Sequence, residues 1–252
     1  MPLHLFVLTG ASRGLGAAMA AQLLLPGHRL LGLSRQRSAT LETAAAANGI
    51  VLDQWPIDLA DSTAAAARLR DWLAQFEPAE FNSATLINNA AMLPRIGALA
   101  DSDAGEVATS LRVGLEAPML LTAAFLHATE NWRGLRRVLN ISSGLGRRAM
   151  AAQSPYCAAK AGLDHFSRAL ALEEAGRPNG AKIVSLAPGV IDTDMQVQLR
   201  GADAAGFPDR ASFVGLKQNG QLASSDAAAT SVLRYLNRTD FGSQVIADVR
   251  DA

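Results

Sequence analysis

Short runs of consecutive apolar residues alternate along the chain with longer stretches rich in Ala and Leu. The apolar runs are HLFVLTG (4–10), HRLLGLS (28–34), GIVLDQWPID (49–58), ATLINNA (84–90), RRVLNISS (136–143), AKIVSLAPG (181–189) and SQVIADV (243–249). Each is predicted to hold a strand. They are almost continuously apolar rather than alternating, the pattern of strands covered on both faces. Helices are predicted over about 14–25, 61–76, 103–129, 155–175 and 224–237. Such alternation builds an α/β fold: a doubly wound parallel sheet of seven strands with helices on both faces. The stretch 190–220 is the least periodic. It follows a predicted strand end and carries several glycines, so it is expected to form a lid over a substrate. No repeat or low-complexity linker interrupts the pattern, and residues 1–252 are read as a single domain.

Composition narrows the function classes. Hydrophobic residues make up 49% and charged residues 18%, as in a soluble globular chain. The formal net charge is zero, so no global attraction to nucleic acid or to an anionic membrane is expected. Cys157 is the only cysteine, which rules out an internal disulfide and fits a reducing, cytoplasmic setting. It is expected to be a small packed residue on the far side of its helix. His4, His28, His127 and His165 show no metal-ligand spacing, so no metal is expected. No run approaches the ~20 apolar residues of a membrane span. The N-terminus lacks the basic segment and long apolar run of a secretion signal.

Three stretches carry candidate chemistry. TGASRGLG (9–16) lies between the first predicted strand and the first predicted helix. There Gly10, Gly14 and Gly16 allow a tight turn and close approach of a phosphate, and the helix N-terminus offers free N–H groups to it. The second strand ends in LSRQR (33–37), with no acidic residue for the ribose hydroxyls. Ser34 and Arg35, with Arg13 in the glycine turn, instead suit the 2′-phosphate of NADP(H). Finally, Tyr156 and Lys160 lie four positions apart in SPYCAAKAG (154–162), which puts them on one helix face. The chain has only two tyrosines, and just three of its 23 basic residues are lysines. A lysine charge about 4 Å from a tyrosinate contributes roughly 4 kcal/mol at an effective dielectric near 20. That is about 3 pKa units, enough to bring a phenol from ~10 toward ~7.

In order and spacing, these motifs make the chain similar to the short-chain dehydrogenases/reductases over nearly its whole length. NNAA (88–91) resembles the family's Asn-Asn-Ala-Gly turn, with Ala91 in place of the glycine. ISS (141–143) resembles the stretch with the active-site serine, and the family spacing to the tyrosine selects Ser143. PGVIDT (188–193) resembles the segment beside the nicotinamide. The resemblance implies a catalytic set of Ser143, Tyr156 and Lys160. It implies cofactor contacts from Gly10, Ser12, Arg13, Gly14, Leu15, Gly16, Ser34, Arg35, Asp58, Leu59, Asn88, Ala90, Tyr156, Lys160, Pro188, Gly189, Val190 and Thr193. In one departure, RVGLEAP (112–118) puts Gly114 where the family has an asparagine that helps hold a relay water.

Within the family, GVIDTDMQ (189–196) and GQLAS (220–224) look most like the benzil reductase and sepiapterin reductase branch. The implied activity is reduction of a ketone or dicarbonyl small molecule by NADPH, with Tyr156 as proton donor. Two alternatives stay open: a 3-oxoacyl thioester reductase, with Arg133, Arg136 and Arg137 as a carrier-protein patch, and a non-catalytic dinucleotide sensor. The family also implies a homodimer or homotetramer built through the helices at about 103–129 and 155–175. Leu145, Met150, Met195 and Phe213 fit an apolar pocket or ordinary packing equally well.

Overall fold

The computed structural model describes residues 3–251, and these form one seven-stranded parallel sheet. The strands are β1 (His4–Thr9), β2 (His28–Ser34), β3 (Val51–Pro56), β4 (Ser83–Asn88), β5 (Leu135–Ile141), β6 (Lys182–Ala187) and β7 (Ile246–Asp248). The helices are α1 (Gly14–Leu23), α2 (Ala39–Asn48), α3 (Ser62–Leu73), α4 (Ala104–Leu111), α5 (Ala117–Ala128), α6 (Ser154–Ala175), α7 (Asp194–Gly201), α8 (Arg210–Gln218) and α9 (Ser225–Leu236).

Each strand feeds two cores because successive side chains point to opposite faces. From β1, Phe6 and Leu8 pack with Met19 of α1 and Val232 of α9. Leu5 and Val7 pack with Leu69 of α3 and Phe125 of α5. Each buried leucine contributes about 2 kcal/mol of transfer free energy. Double coverage is the reason the strands read as continuous apolar runs.

The strand order is β3-β2-β1-β4-β5-β6-β7. The chain therefore winds one way from β1 to β3 and the other way from β4 onward. Ligands of such sheets sit where the direction reverses, beyond the carboxyl ends of β1 and β4.

Three local features depart from the sequence pattern. Helix α2 fills a stretch with no predicted element. It buries only Leu41 and Ala45, too few for a clear period, although Ser38 caps its start and Gly49 ends it at φ 65°. The long helix expected over 103–129 is interrupted by a π-helical turn at Arg112–Glu116, between α4 and α5. The stretch 190–220 is not an open loop but carries α7 and α8. Among the described residues, no helix is long and apolar enough to cross a membrane.

Candidate active site

The carboxyl ends of β4, β5 and β6 are joined to α6 by buried polar side chains. Asn88 at the end of β4 donates to Thr122 of α5 and to Asn140 of β5, at 3.1 and 2.8 Å. Asn140 in turn donates to the Ser167 hydroxyl of α6 at 2.8 Å. All four residues are buried. Inside a core each such bond is worth keeping mainly because leaving one partner alone costs about 1–3 kcal/mol.

Above this layer sit the three predicted catalytic residues. Ser143 follows β5 in extended conformation, and its hydroxyl accepts from the Leu145 amide at 3.1 Å. Pro155 starts α6, and Tyr156 and Lys160 follow on its buried face. The Lys160 ammonium donates to the Ile141 carbonyl at 2.7 Å and lies 5.8 Å from the centre of the Tyr156 ring. Burial pushes the phenol up to about 12, partly offset by hydrogen bonding with the Ser143 side chain. Burial likewise brings the lysine down to about 8, against the pull of the Asp164 carboxylate.

The phenol is thus not tuned toward neutrality as the sequence argument expects. A downward shift needs the two charges face to face at an effective dielectric near 20, as at a protein surface. In the fold both groups are buried, and the ammonium is turned toward a backbone carbonyl. Loss of hydration by the charged forms then dominates.

At the end of β1 the glycine turn forms a close-packed cradle. A Cβ on Gly16 would lie 2.0 Å from the Gly10 carbonyl oxygen, so α1 approaches the turn only because residue 16 is glycine. Gly10 and Gly14 have φ of 70° and 54°, where other residues are strained. The first turn of α1 has no side-chain cap, which leaves its N–H groups available to an anion. Ser12 and Leu15 belong to this turn, with Leu15 buried. These features fit a dinucleotide pyrophosphate.

Sequence reasoning missed the two residues that hold this cradle. The Thr9 hydroxyl accepts from the Asn89 and Ala90 amides, each at 2.9 Å. The Asn89 side chain donates back to the Thr9 carbonyl at 2.9 Å. The signal available was two amide- or hydroxyl-bearing residues at adjacent strand ends across the switch point.

The remaining predicted contacts lie along the same sheet edge. Ser34 and exposed Arg35 close β2, and among the described residues Arg35 makes no ion pair. Asp58 is exposed after β3, its carboxylate accepting from the Ala60 amide, while the neighbouring Leu59 is buried. Pro188, Gly189 and Val190 follow β6, and Thr193 caps α7. Asn88 is buried, its side-chain N–H groups bonded to Thr122 and Asn140, so only its backbone faces the strand end. The Arg13 guanidinium pairs with Asp194 of α7 at 3.1 Å, in the open.

Met150 packs with Leu199 and Phe207 in a third apolar cluster, against which Leu145, Met195, Phe213 and Cys157 lie partly buried. Cys157 therefore faces the α7 side, not the far side of its helix. Gly114 sits buried in the π turn, where a Cβ would come 3.2 Å from that of Ala159, next to Lys160. The three arginines at the other end of β5 do not make a basic patch. Arg136 is buried and pairs with Glu174, and Arg137 is half-buried.

Residues 4–204 match the family model described as short chain dehydrogenase. A benzil reductase ((S)-benzoin forming) of Bacillus cereus is 32% identical over 235 residues, 93% of this chain and 94% of that protein. A sepiapterin reductase of Meriones unguiculatus is 33% identical over 255 residues, 97% of this chain and 95% of that protein. Among solved structures, a short-chain dehydrogenase/reductase from Burkholderia vietnamiensis is 34% identical, with a TM-score of 0.67 over 99% of this chain and 98% of that one.

Proposed function

The chain belongs to the short chain dehydrogenase family of oxidoreductases, and from that premise we propose that it reduces a ketone or dicarbonyl small molecule to an alcohol, using NADPH and with Tyr156 as proton donor. The observation that carries this reading is that part-buried Ser143 after β5 is hydrogen-bonded to buried Tyr156 of α6, one turn before buried Lys160, at the strand ends where the glycine turn after β1 also lies. Both curated relatives are named as reductases, one of benzil and one of sepiapterin.

When bound, the reduced nicotinamide supplies the hydride. The chain's own residues hold the dinucleotide and manage the oxygen. The Gly10–Gly16 turn would take the pyrophosphate, with Ser34 and Arg35 at the adenosine end. Residues 188–193, Lys160 and the backbone near Ala90 would take the nicotinamide half. Arg35, with no carboxylate beside it, favours a 2′-phosphate. The Ser143 hydroxyl and the Tyr156 phenol donate hydrogen bonds to the oxygen as negative charge develops on it. A phenol at about 12 is fully protonated at neutral pH. An alkoxide, whose conjugate acid is near water's own value of about 16, still takes its proton downhill. The protonated phenol can therefore act as the proton donor. The Lys160 ammonium, 5.8 Å from the centre of the Tyr156 ring, adds positive charge near the phenol. Met119 and Leu172 stand exposed on α5 and α6, the face through which a homodimer or homotetramer would form.

The test is a panel of ketones and dicarbonyls assayed with NADPH and NADH, on the parent and on Tyr156→Phe. The parent should turn over with NADPH in preference to NADH. Tyr156→Phe should keep its dinucleotide affinity and lose 10²–10⁴-fold in turnover. A fully active Tyr156→Phe rejects the mechanism.

A further inference from the structure

One buried carboxylate close to the catalytic group has no part in the reaction as described. Asp164 lies one turn beyond Lys160 on the same face of α6, and its side chain is 3% exposed. It is bonded to three different parts of the chain. Its Oδ1 accepts from the Ser142 hydroxyl at the end of β5 and from the Ser185 hydroxyl of β6, both at 2.6 Å. Its Oδ2 accepts from the Arg147 guanidinium at 3.3 Å. The same guanidinium donates to the Ala247 carbonyl of β7 at 2.7 Å. Gly146 lets this turn sit against α6, since a Cβ there would lie 2.9 Å from the Lys160 carbonyl oxygen and 3.0 Å from Asp164 Oδ2.

The consequence is geometric. Three consecutive residues leaving β5 are each tied to α6 or the site. Ile141 gives its carbonyl to the Lys160 ammonium, Ser142 its hydroxyl to Asp164, and Ser143 its hydroxyl to the reacting oxygen under the proposed function. We propose that Asp164 is a positioning residue of the catalytic group. Its carboxylate clamps the end of β5 and the turn after it onto α6, and so steadies the Ile141 carbonyl that receives the buried Lys160 ammonium. This rests on the proposed function for its meaning, but not for its measurement.

The charges around Lys160 are few. On its own helix stand Tyr156 and Asp164. The turn after β5 brings Arg147, and β7 with the residues after it brings the Asp248–Arg250 pair. The π turn packs Gly114 against Ala159 and Leu115 against Gly162, and the carboxylate of its Glu116 accepts from Ser62 of α3. Asp164 is the carboxylate that raises the lysine, working against burial. Removing its charge must therefore lower the lysine's titration midpoint. Removing Arg147, which partly neutralises that carboxylate, must raise it.

The experiment follows the lysine directly. With only three lysines in the chain, ¹³C-labelled side chains give an NMR spectrum assignable through Lys182→Arg and Lys217→Arg. Asp164→Asn should move the Lys160 midpoint down by about one pH unit. Arg147→Gln should move it up. If Lys160 must be charged for turnover, the alkaline limb of kcat shifts in the same two directions, with kcat more affected than KM. A merely structural carboxylate would lower the melting temperature of Asp164→Asn and leave midpoint and limb unmoved, and that result overturns the proposal. Should Asp164→Asn fail to fold, Arg147→Gln decides alone, and no upward shift overturns it. Because the NMR titration needs no turnover, an active Tyr156→Phe would sink the proposed function while leaving the Asp164 result readable.

Discussion

The turn after β5 and the α7–α8 segment meet in the Met150, Leu199 and Phe207 cluster, yet they are held by opposite means. Beneath the catalytic group, Asn88, Asn140, Ser167 and Asp164 are buried and fixed by side-chain hydrogen bonds. On the rim, Asp192 is paired with Lys217 and Arg200, and Arg13 with Asp194. Arg13 and Asp194 are 68% and 75% exposed, so solvent screens their attraction. A buried polar bond resists removal because its broken partner has no water to turn to. An exposed pair exchanges for water at little cost. The proposed catalytic group is built the first way, and the α7–α8 segment, where the sequence leads one to expect a lid, the second.

Substitutions can break this contrast or sharpen it. The largest effect is expected for Ser143→Ala, whose hydroxyl meets the reacting oxygen under the proposed function. Turnover should fall roughly 10²–10³-fold with dinucleotide affinity spared, as read by steady-state kinetics and a fluorescence titration. An equal loss of affinity would move Ser143 from the reaction to the cofactor site. Next comes Arg35→Ala on the open rim. Losing one charge-assisted partner should weaken NADPH selectively by roughly 10- to 150-fold, leaving NADH binding unchanged. Equal loss for both cofactors would remove the 2′-phosphate assignment. Asn140→Ala leaves an Asn88 N–H without its acceptor and should cost about 2 kcal/mol in chemical denaturation. A neutral result would mean the buried layer is not what stiffens the site. The smallest effect is expected for Lys217→Ala. Melting temperature should hardly move, while amide exchange across 194–218 quickens. If the protein instead loses its cooperative transition, the rim is structural and the contrast fails.

The sequence made the buried half of this picture legible and the rim much less so. Strands covered on both faces leave a continuous apolar signature, and a glycine required by a 2.0 Å approach leaves a motif. Tyr156 and Lys160 could be paired by their spacing, and Ser143 by the family resemblance. Their electrostatics could not, because the sign of the phenol's shift depends on how fully α6 is covered and on where the Lys160 ammonium turns. Helix α2 went unseen since its burial is confined to Leu41 and Ala45. The pairing of Arg13 with Asp194 spans the whole fold, and local sequence carries no trace of it. The π turn at Gly114 needs knowledge of Ala159, a contact between two helices distant in the chain.

Gly146 imposes a limit on how the turn after β5 can change. It touches Lys160 and Asp164 so closely that any side chain there pushes the whole turn off α6. Leu145 on one side and Met150 on the other line the apolar cluster. A mutant library of this turn can therefore vary exposed Arg148 and Ala149 freely and buried Met150 only among apolar residues, provided 146 and 147 stay as they are. One that includes position 146 should return mostly inactive clones however mild the replacement. Diversity in this turn is thus confined to short windows on either side of a glycine whose hydrogen is all the space allows.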